Sequence, residues 1–280
     1  MKRLLGLTAA ALALSWGCQP AQSPAQQAAN TPATEPAAAA ADPAAASTDT
    51  AAATTERVDP AALAALETMS RYLGTLKNFE ARATSSIDEV LESGQKLQFD
   101  GAATYLVRRP DAFRIETHSD RRVRQFYYDG KNFTMYSPRM NVYAQVAAPA
   151  TIGEVVTKIQ DEYDINLPMT DLFTWADDPA ENAKDLTTAM YVGPSKIGDV
   201  ETDQYAFRRP DVDWQIWIQR GDTPLPRKLV ITTRDDPALP QYTAYLNWNL
   251  APKVDDASFA FTPPKDTYKI EIAKASNTDS

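Results

Sequence analysis

Hydrophobic and polar residues alternate along most of the chain between Phe79 and Leu250, which predicts a series of short β-strands. The clearest case is a predicted β-hairpin from Asp213 to Arg234. Trp214, Ile216 and Ile218 share one face of its first arm. Trp217 belongs to the other face, so both faces carry apolar bulk. Such a sheet needs cover on both sides, or it lines an apolar cavity.

Two segments repeat apolar residues every three or four positions, which predicts amphipathic helices. The first begins at Asp59, an N-cap followed by proline, and ends near Asn78. The second begins with a capping box formed by Thr151 and Glu154 and runs to about Tyr163. Its apolar side would form a lid and comprises Ile152, Val155, Val156 and Ile159. A short helical piece is also predicted from Met169 to Trp175.

The order of elements is a helix, six strands, a helical interlude and about five more strands, which differs from the βαβ alternation of a parallel sheet. We therefore expect an α+β fold with one large, strongly curved antiparallel sheet of about 11 strands and helices packed on one side. A sheet of that size curls. Helices over the concave face would then enclose an apolar cavity, the usual setting for a lipid-like ligand.

The N-terminus has the features of a bacterial export signal. Lys2 and Arg3 precede an apolar run that is too short to cross a bilayer, and residues 1–18 end in LALSWGC. This ending resembles a lipoprotein signal, in which Cys18 would become the lipidated first residue and anchor the protein to a membrane. The alternative is ordinary secretion, because Ser15 and Gly17 also fit small-residue cleavage. By resemblance to lipoprotein sorting in Gram-negative bacteria, Gln19 after the cysteine implies delivery to the outer membrane.

Residues 19–55 consist almost entirely of Ala, Pro, Gln, Ser and Thr, without an aromatic residue. This composition cannot build a core and predicts a disordered tether that holds a domain away from a surface. The folded domain is expected over residues 56–273, with a disordered tail at 274–280.

The composition narrows the possible chemistry. A net charge of −9 argues against a nucleic-acid partner. One His and one Cys exclude an internal disulfide and a Cys/His zinc site, so we expect neither metal nor cofactor. A hydrolase that uses paired carboxylates is the weakest of three hypotheses, because no Asp or Glu stands alone in an apolar run.

The run from Arg109 to Pro138 resembles the central block of the LolA/LolB-like lipoprotein carriers of the bacterial envelope. The shared features are the strand start at Pro110, the Phe113-Arg114 pair and a turn at Asp129 before the aromatic strand. The segment from Phe259 to Pro263 resembles the closing motif of that family. The strand with Trp214 followed by LPRKLVI points to a subgroup of predicted periplasmic proteins of unknown function. The resemblance implies an unclosed barrel with a helical lid over a cavity that holds acyl chains.

These observations predict a non-catalytic, monomeric periplasmic protein that binds a lipid, an acyl chain or an acylated protein. The alternative is an interaction module whose interior is filled by its own side chains and which docks to another envelope protein. Core packing alone also explains some of the tryptophans. The candidate cavity residues are Trp175, Trp214, Ile216, Trp217, Ile218 and Trp248.

Two further patterns in the sequence allow more than one interpretation. Six arginines between residues 108 and 124 would meet an anionic headgroup, help to hold the lid, or form a solvated strand face paired with Asp and Glu. The sequence Arg-Arg-Pro-Asp occurs at 108–111 and again at 208–211, which indicates either an internal duplication or two similar strand ends.

Overall fold

The structure is a computed structural model that describes residues 58–167, 169 and 183–275. Two α-helices, twelve β-strands and a short 3-10 helix (Asp256–Ser258) make up this part of the chain. The helices are α1 (Pro60–Thr75) and α2 (Ile152–Tyr163). The strands are β1 (Asn78–Val90), β2 (Lys96–Arg108), β3 (Ala112–Ser119), β4 (Val123–Tyr128), β5 (Asn132–Ser137), β6 (Val142–Ala147), β7 (Thr188–Ile197), β8 (Val200–Arg208), β9 (Val212–Gln219), β10 (Pro226–Thr233), β11 (Gln241–Asn249) and β12 (Tyr268–Lys269).

All twelve strands belong to one sheet, in the order β12-β6-β5-β4-β3-β2-β1-β11-β10-β9-β8-β7. Every ladder is antiparallel except that of β12, which runs parallel to β6. The predicted α+β class with an unclosed, curved antiparallel sheet is confirmed. The twelfth strand exceeds the predicted number because β12 is two residues long and has no periodicity to detect.

Local sequence explains how both helices begin. The Asp59 carboxylate accepts a hydrogen bond from the Ala61 amide at 2.9 Å, and a proline follows it. The capping box predicted for α2 is present, because the Thr151 hydroxyl and the Glu154 carboxylate each accept the other residue's amide. The predicted end of α1 near Asn78 was wrong. The helix ends at Thr75 because Leu76 already has extended backbone angles.

The two edges of the sheet are protected in different ways. β12 covers the outer edge of β6. β7 forms the opposite edge, and its register shifts between Tyr191 and Gly193, before Pro194 and Lys196. A bulge, a proline and a lysine are features that discourage edge-to-edge association. The strand is longer than the predicted Thr187–Val192, because it continues through this irregular part to Ile197.

The apolar core is divided between the two helices. α1 covers strands from the distant second part of the chain, whereas α2 covers strands that precede it. α1 packs on β7–β10 through Ala62, Leu66, Met69 and Leu73, a group that we call the α1 cluster. α2 packs on the strands of the β1–β6 region. We call the buried residues of this contact, which include Phe113 and Phe133, the α2 cluster. Leu76 and Trp248 contact both clusters and join them.

Candidate functional site

The candidate site is the face of the sheet that α1 and α2 cover. Strand alternation and register assign the residues of each ladder to a face. Trp248 pairs with Ala81, Ala81 with Tyr105, and Tyr105 with Ile115, so these four residues share the helix-covered face. Aromatic side chains therefore lie in the middle of the helix-covered face, and the small side chain of Ala81 lies between them.

The part of this face beneath α2 is aromatic and closely packed. Phe113 lies 5.3 Å from Tyr128 and 6.4 Å from Phe133 between ring centroids, and Phe126 stacks on Phe133 at 6.2 Å. All four rings are buried. The apolar side predicted for α2 faces them, since Ile152, Val155, Val156 and Ile159 are all buried in the α2 cluster.

Few directional bonds hold α2 to the sheet. At its N-terminal end the Ile152 amide donates to the Pro110 carbonyl at 2.9 Å, and just before the helix the Tyr128 hydroxyl donates to the Pro149 carbonyl at 2.6 Å. Burial raises the pKa of Tyr128 to about 12, so this hydroxyl remains a donor at neutral pH. Further along the helix, the Lys158 ammonium group donates to the Ala147 carbonyl of β6 at 2.9 Å. The rest of the attachment is apolar packing.

Of the six predicted cavity residues, the structure brings Trp214, Ile216 and Ile218 together under α1, where Trp214 stacks on Phe207 at 4.1 Å between centroids. Trp248 lies at the junction of the two clusters, and its indole nitrogen donates to the Pro226 carbonyl at 2.8 Å. Trp175, like Cys18, lies outside the described residues.

Trp217 lies on the opposite face of the sheet, and its grouping with the other cavity residues needs correction. It follows Ile216, and neighbouring strand residues face opposite sides. There the ammonium group of Lys228 lies over its ring, 4.5 Å from the centroid, and 5.0 Å from that of Tyr245. Trp217 therefore cannot line a cavity on the helix-covered face.

The C-terminal segment packs on the same uncovered face, over the other half of the sheet. Phe261 contacts Tyr127, Tyr136 and Tyr143 with ring centroids between 5.1 and 5.4 Å apart. Phe259 is 1% exposed, and the Arg108 guanidinium lies 5.0 Å from the centroid of its ring. The segment that resembled a closing motif therefore covers the back of the β4–β6 region.

Most of the arginine cluster is paired. Arg108 binds Asp111 at 3.2 Å and Asp256 at 2.6 Å, and Arg114 and Arg121 bind Glu116 and Glu89. Arg124 differs, because it lies on the same side of β4 as the buried Phe126 and Tyr128. The alternation of Arg124, Phe126 and Tyr128 in the sequence indicates this placement, which the charge of the cluster alone does not.

The described residues line a pair of depressions near the candidate site. One, of about 490 Å³, is a broad surface hollow beside α2 that includes Glu154, Lys158 and Glu162. The other, of about 130 Å³, lies against the middle of β2, β3 and β4. Neither includes the aromatic rings beneath α2, so those rings are packed against the helix rather than lining either hollow.

Residues 62–273 match the profile of a family described as "Predicted periplasmic protein (DUF2092)". The chain belongs to this family. This confirms the predicted subgroup, and the family description supports a periplasmic location. A search of curated proteins finds no sequence match.

Similar solved structures include LprF of Mycobacterium bovis, at 12% identity and a TM-score of 0.44, with 75% of this chain and 99% of that chain covered. They also include the Mycobacterium tuberculosis lipoprotein LppX, at 14% identity and a TM-score of 0.39, with coverage of 70% and 100%. A LolA superfamily protein of Nitrosomonas europaea matches at 9% identity and a TM-score of 0.37, with coverage of 71% and 97%. Within the described ranges, neither helix is long and apolar enough to span a bilayer.

Proposed function

We propose that this protein is a non-catalytic carrier of the bacterial envelope, which binds a lipid, an acyl chain or the acyl groups of a lipoprotein on the concave face of its sheet. One observation carries the proposal. A broad, aromatic sheet face is covered by a separate amphipathic helix, α2, whose contact with it is apolar. An acyl chain offers the rings the same kind of contact, so it can replace the helix without leaving polar groups unsatisfied.

The attachments of α2 favour a lid that opens from one end. Its N-terminal end is fixed by the bonds at Pro110 and Pro149. Its last turn is attached to the C-terminal segment by an exposed ion pair between Lys274 and Glu162 at 3.1 Å, and by the Ala275 amide, which donates to the Glu162 carbonyl at 2.8 Å. Exposed pairs contribute at most about 1 kcal/mol. The helix would therefore swing about its N-terminal end and admit a chain beneath Val156 and Ile159.

The location follows from the N-terminal sequence. Cys18 is the only cysteine and stands at the end of an export signal, before a long tether rich in proline and alanine. We infer that Cys18 is lipidated and anchors the protein to the inner leaflet of the outer membrane, while the tether lets a monomeric domain reach through the periplasm. Replacement by Cys18→Ser should release the protein from the membrane fraction. Retention of this variant would contradict the anchor.

Native mass spectrometry and solvent extraction test the carrier function. The full chain with Cys18→Ser, purified from the periplasm, should carry a stoichiometric lipid. Fatty acids of increasing length should bind more tightly by about fourfold per methylene, from about 0.8 kcal/mol of burial each. A tryptophan at Ala103, half-buried on the concave face, should block uptake, whereas Thr84→Trp, exposed on the other face, should not. Affinity independent of chain length would refute the proposal.

A second candidate is an interaction module that docks to another envelope protein. The observation in its favour is the close packing under α2, where Phe113 and Phe133 are 0% exposed. If this face is permanently filled by the protein's own side chains, the purified chain will have a clean apo mass and will take up no added acyl chain.

A further inference from the structure

Arg124 is the one arginine of β2–β4 whose side chain shares a face with the aromatic cluster. Its ladder partner is Thr117 on β3, and the partner of Thr117 is Ala103 on β2. These three residues form one row on the helix-covered face of the sheet. The next residue on the same face, Phe126, is buried beneath α2. Arg124 therefore stands where the aromatic surface ends.

No carboxylate lies within ion-pair distance of Arg124 among the residues that the structure describes. Glu116, next to Thr117 on β3, alternates to the other face and pairs with Arg114. Burial and the neighbouring charge of Arg122 both lower the pKa of Arg124. A half-buried cation without a counter-charge is unfavourable, and an incoming anion would relieve this.

The surroundings also favour an anion, although the whole chain carries a net charge of −9. The β3–β4 turn contributes Arg121 and Arg122. The guanidinium of Arg139 donates to the carbonyls of Asp120 at 2.7 Å and Ser119 at 3.3 Å, which places a third cation at this turn. A local positive rim on a negative protein attracts anionic ligands selectively to this end of the sheet.

We propose that Arg124 binds the oxyanion headgroup of an amphiphile whose chain lies on the aromatic face beneath α2. The planar guanidinium fits a carboxylate or a phosphate with two parallel hydrogen bonds. The proposal rests on the proposed carrier function and adds to it the headgroup class and the orientation, with the head at the β3–β4 turn and the chain towards Phe126.

Three ligands of equal chain length test this assignment: laurate, monododecyl phosphate and dodecanol. Each is titrated at about pH 8 against the full chain carrying Cys18→Ser, and complexes are quantified by native mass spectrometry. A charged hydrogen bond of the usual strength predicts that at least one anion binds about tenfold or more tightly than dodecanol. The stronger of the two anions identifies the headgroup as a carboxylate or a phosphate.

Two variants with the same loss of charge separate a specific site from general electrostatics. Arg124→Gln should remove the preference for the anion and leave dodecanol affinity unchanged. Arg82→Gln, on the opposite face of β1 with its side chain 69% exposed, should retain the preference to within about twofold, because exposed charges are well screened. Arg124→Lys should restore part of it. A melting curve for each variant confirms folding.

The outcomes also separate the two proposals. If dodecanol and the anions bind equally, or if Arg82→Gln weakens the anion as much as Arg124→Gln does, the headgroup site is refuted and the carrier function stands. If Arg124→Gln weakens all three ligands equally, the residue has only a structural role. If no ligand binds, both proposals fail.

Discussion

Replacement of Phe259 by alanine should destabilise the domain strongly, because its ring fixes the C-terminal segment to the back of the sheet. The ring is 1% exposed, and the Arg108 guanidinium lies over it. Truncation of a buried phenylalanine costs about 3–5 kcal/mol. For a domain of this size, each kcal/mol lowers the Tm by about 2–4 °C, so Phe259→Ala should lower it by about 6–20 °C.

Phe99→Ala provides a matched control for this prediction. Phe99 also carries an arginine over its ring, with Arg121 3.7 Å from the centroid, but it is only half-buried. The same chemical change should therefore lower the Tm much less. Thermal unfolding of both variants, followed by circular dichroism and tryptophan fluorescence, decides the matter. Equal losses would show that the cation above the ring, rather than its burial, fixes the segment.

Three further predictions concern α2 and the residues beneath it. Ile159→Ala, at a 0% exposed position, should cost about 2–5 kcal/mol in urea unfolding, whereas Thr157→Ala on the exposed side should cost about 0.5 kcal/mol or less. Thr151→Ala removes the capping hydroxyl and should lower the free energy of unfolding by about 1 kcal/mol. Adding Glu154→Ala to this variant should cost less than Glu154→Ala alone, because the two residues form one capping box. The folded pKa of Tyr128, about 12, exceeds the unfolded value of about 10. Its contribution to stability is therefore complete below about pH 10 and is lost as the pH rises towards 12. The decline in Tm between about pH 10 and 12 should be smaller in Tyr128→Phe, and an equal decline in both proteins would contradict the raised pKa.

The sequence predicted those features that depend on local periodicity. Alternation placed Trp214 and Trp217 on opposite faces, and the apolar spacing of α2 identified all four residues that it buries. Cap residues located both helix starts. The end of α1 was missed because leucines at 73 and 76 continue the helical spacing, although the backbone becomes extended at Leu76.

Features that depend on contacts distant in sequence could not be predicted. Nothing local indicates that α1 covers β7–β10 rather than the strand that follows it. The phenylalanines at 259 and 261 were recognised as a motif, but the face that they cover depends on tyrosines more than a hundred residues away. The face on which Arg124 lies is indicated by its alternation with Phe126, not by the charge of its neighbours.

The two helices pack on strands at different distances along the chain, which affects the order in which the parts of the domain can fold. α2 follows the strands that it covers, so β1–β6 can be sealed as soon as α2 emerges from a translocation channel. α1 is made first but must wait for β7–β10, and β1 must wait for β11, its partner in the middle of the sheet. Contacts between such distant segments form slowly. An apolar helix and an open strand therefore remain uncovered through most of export, when protection by periplasmic chaperones matters most.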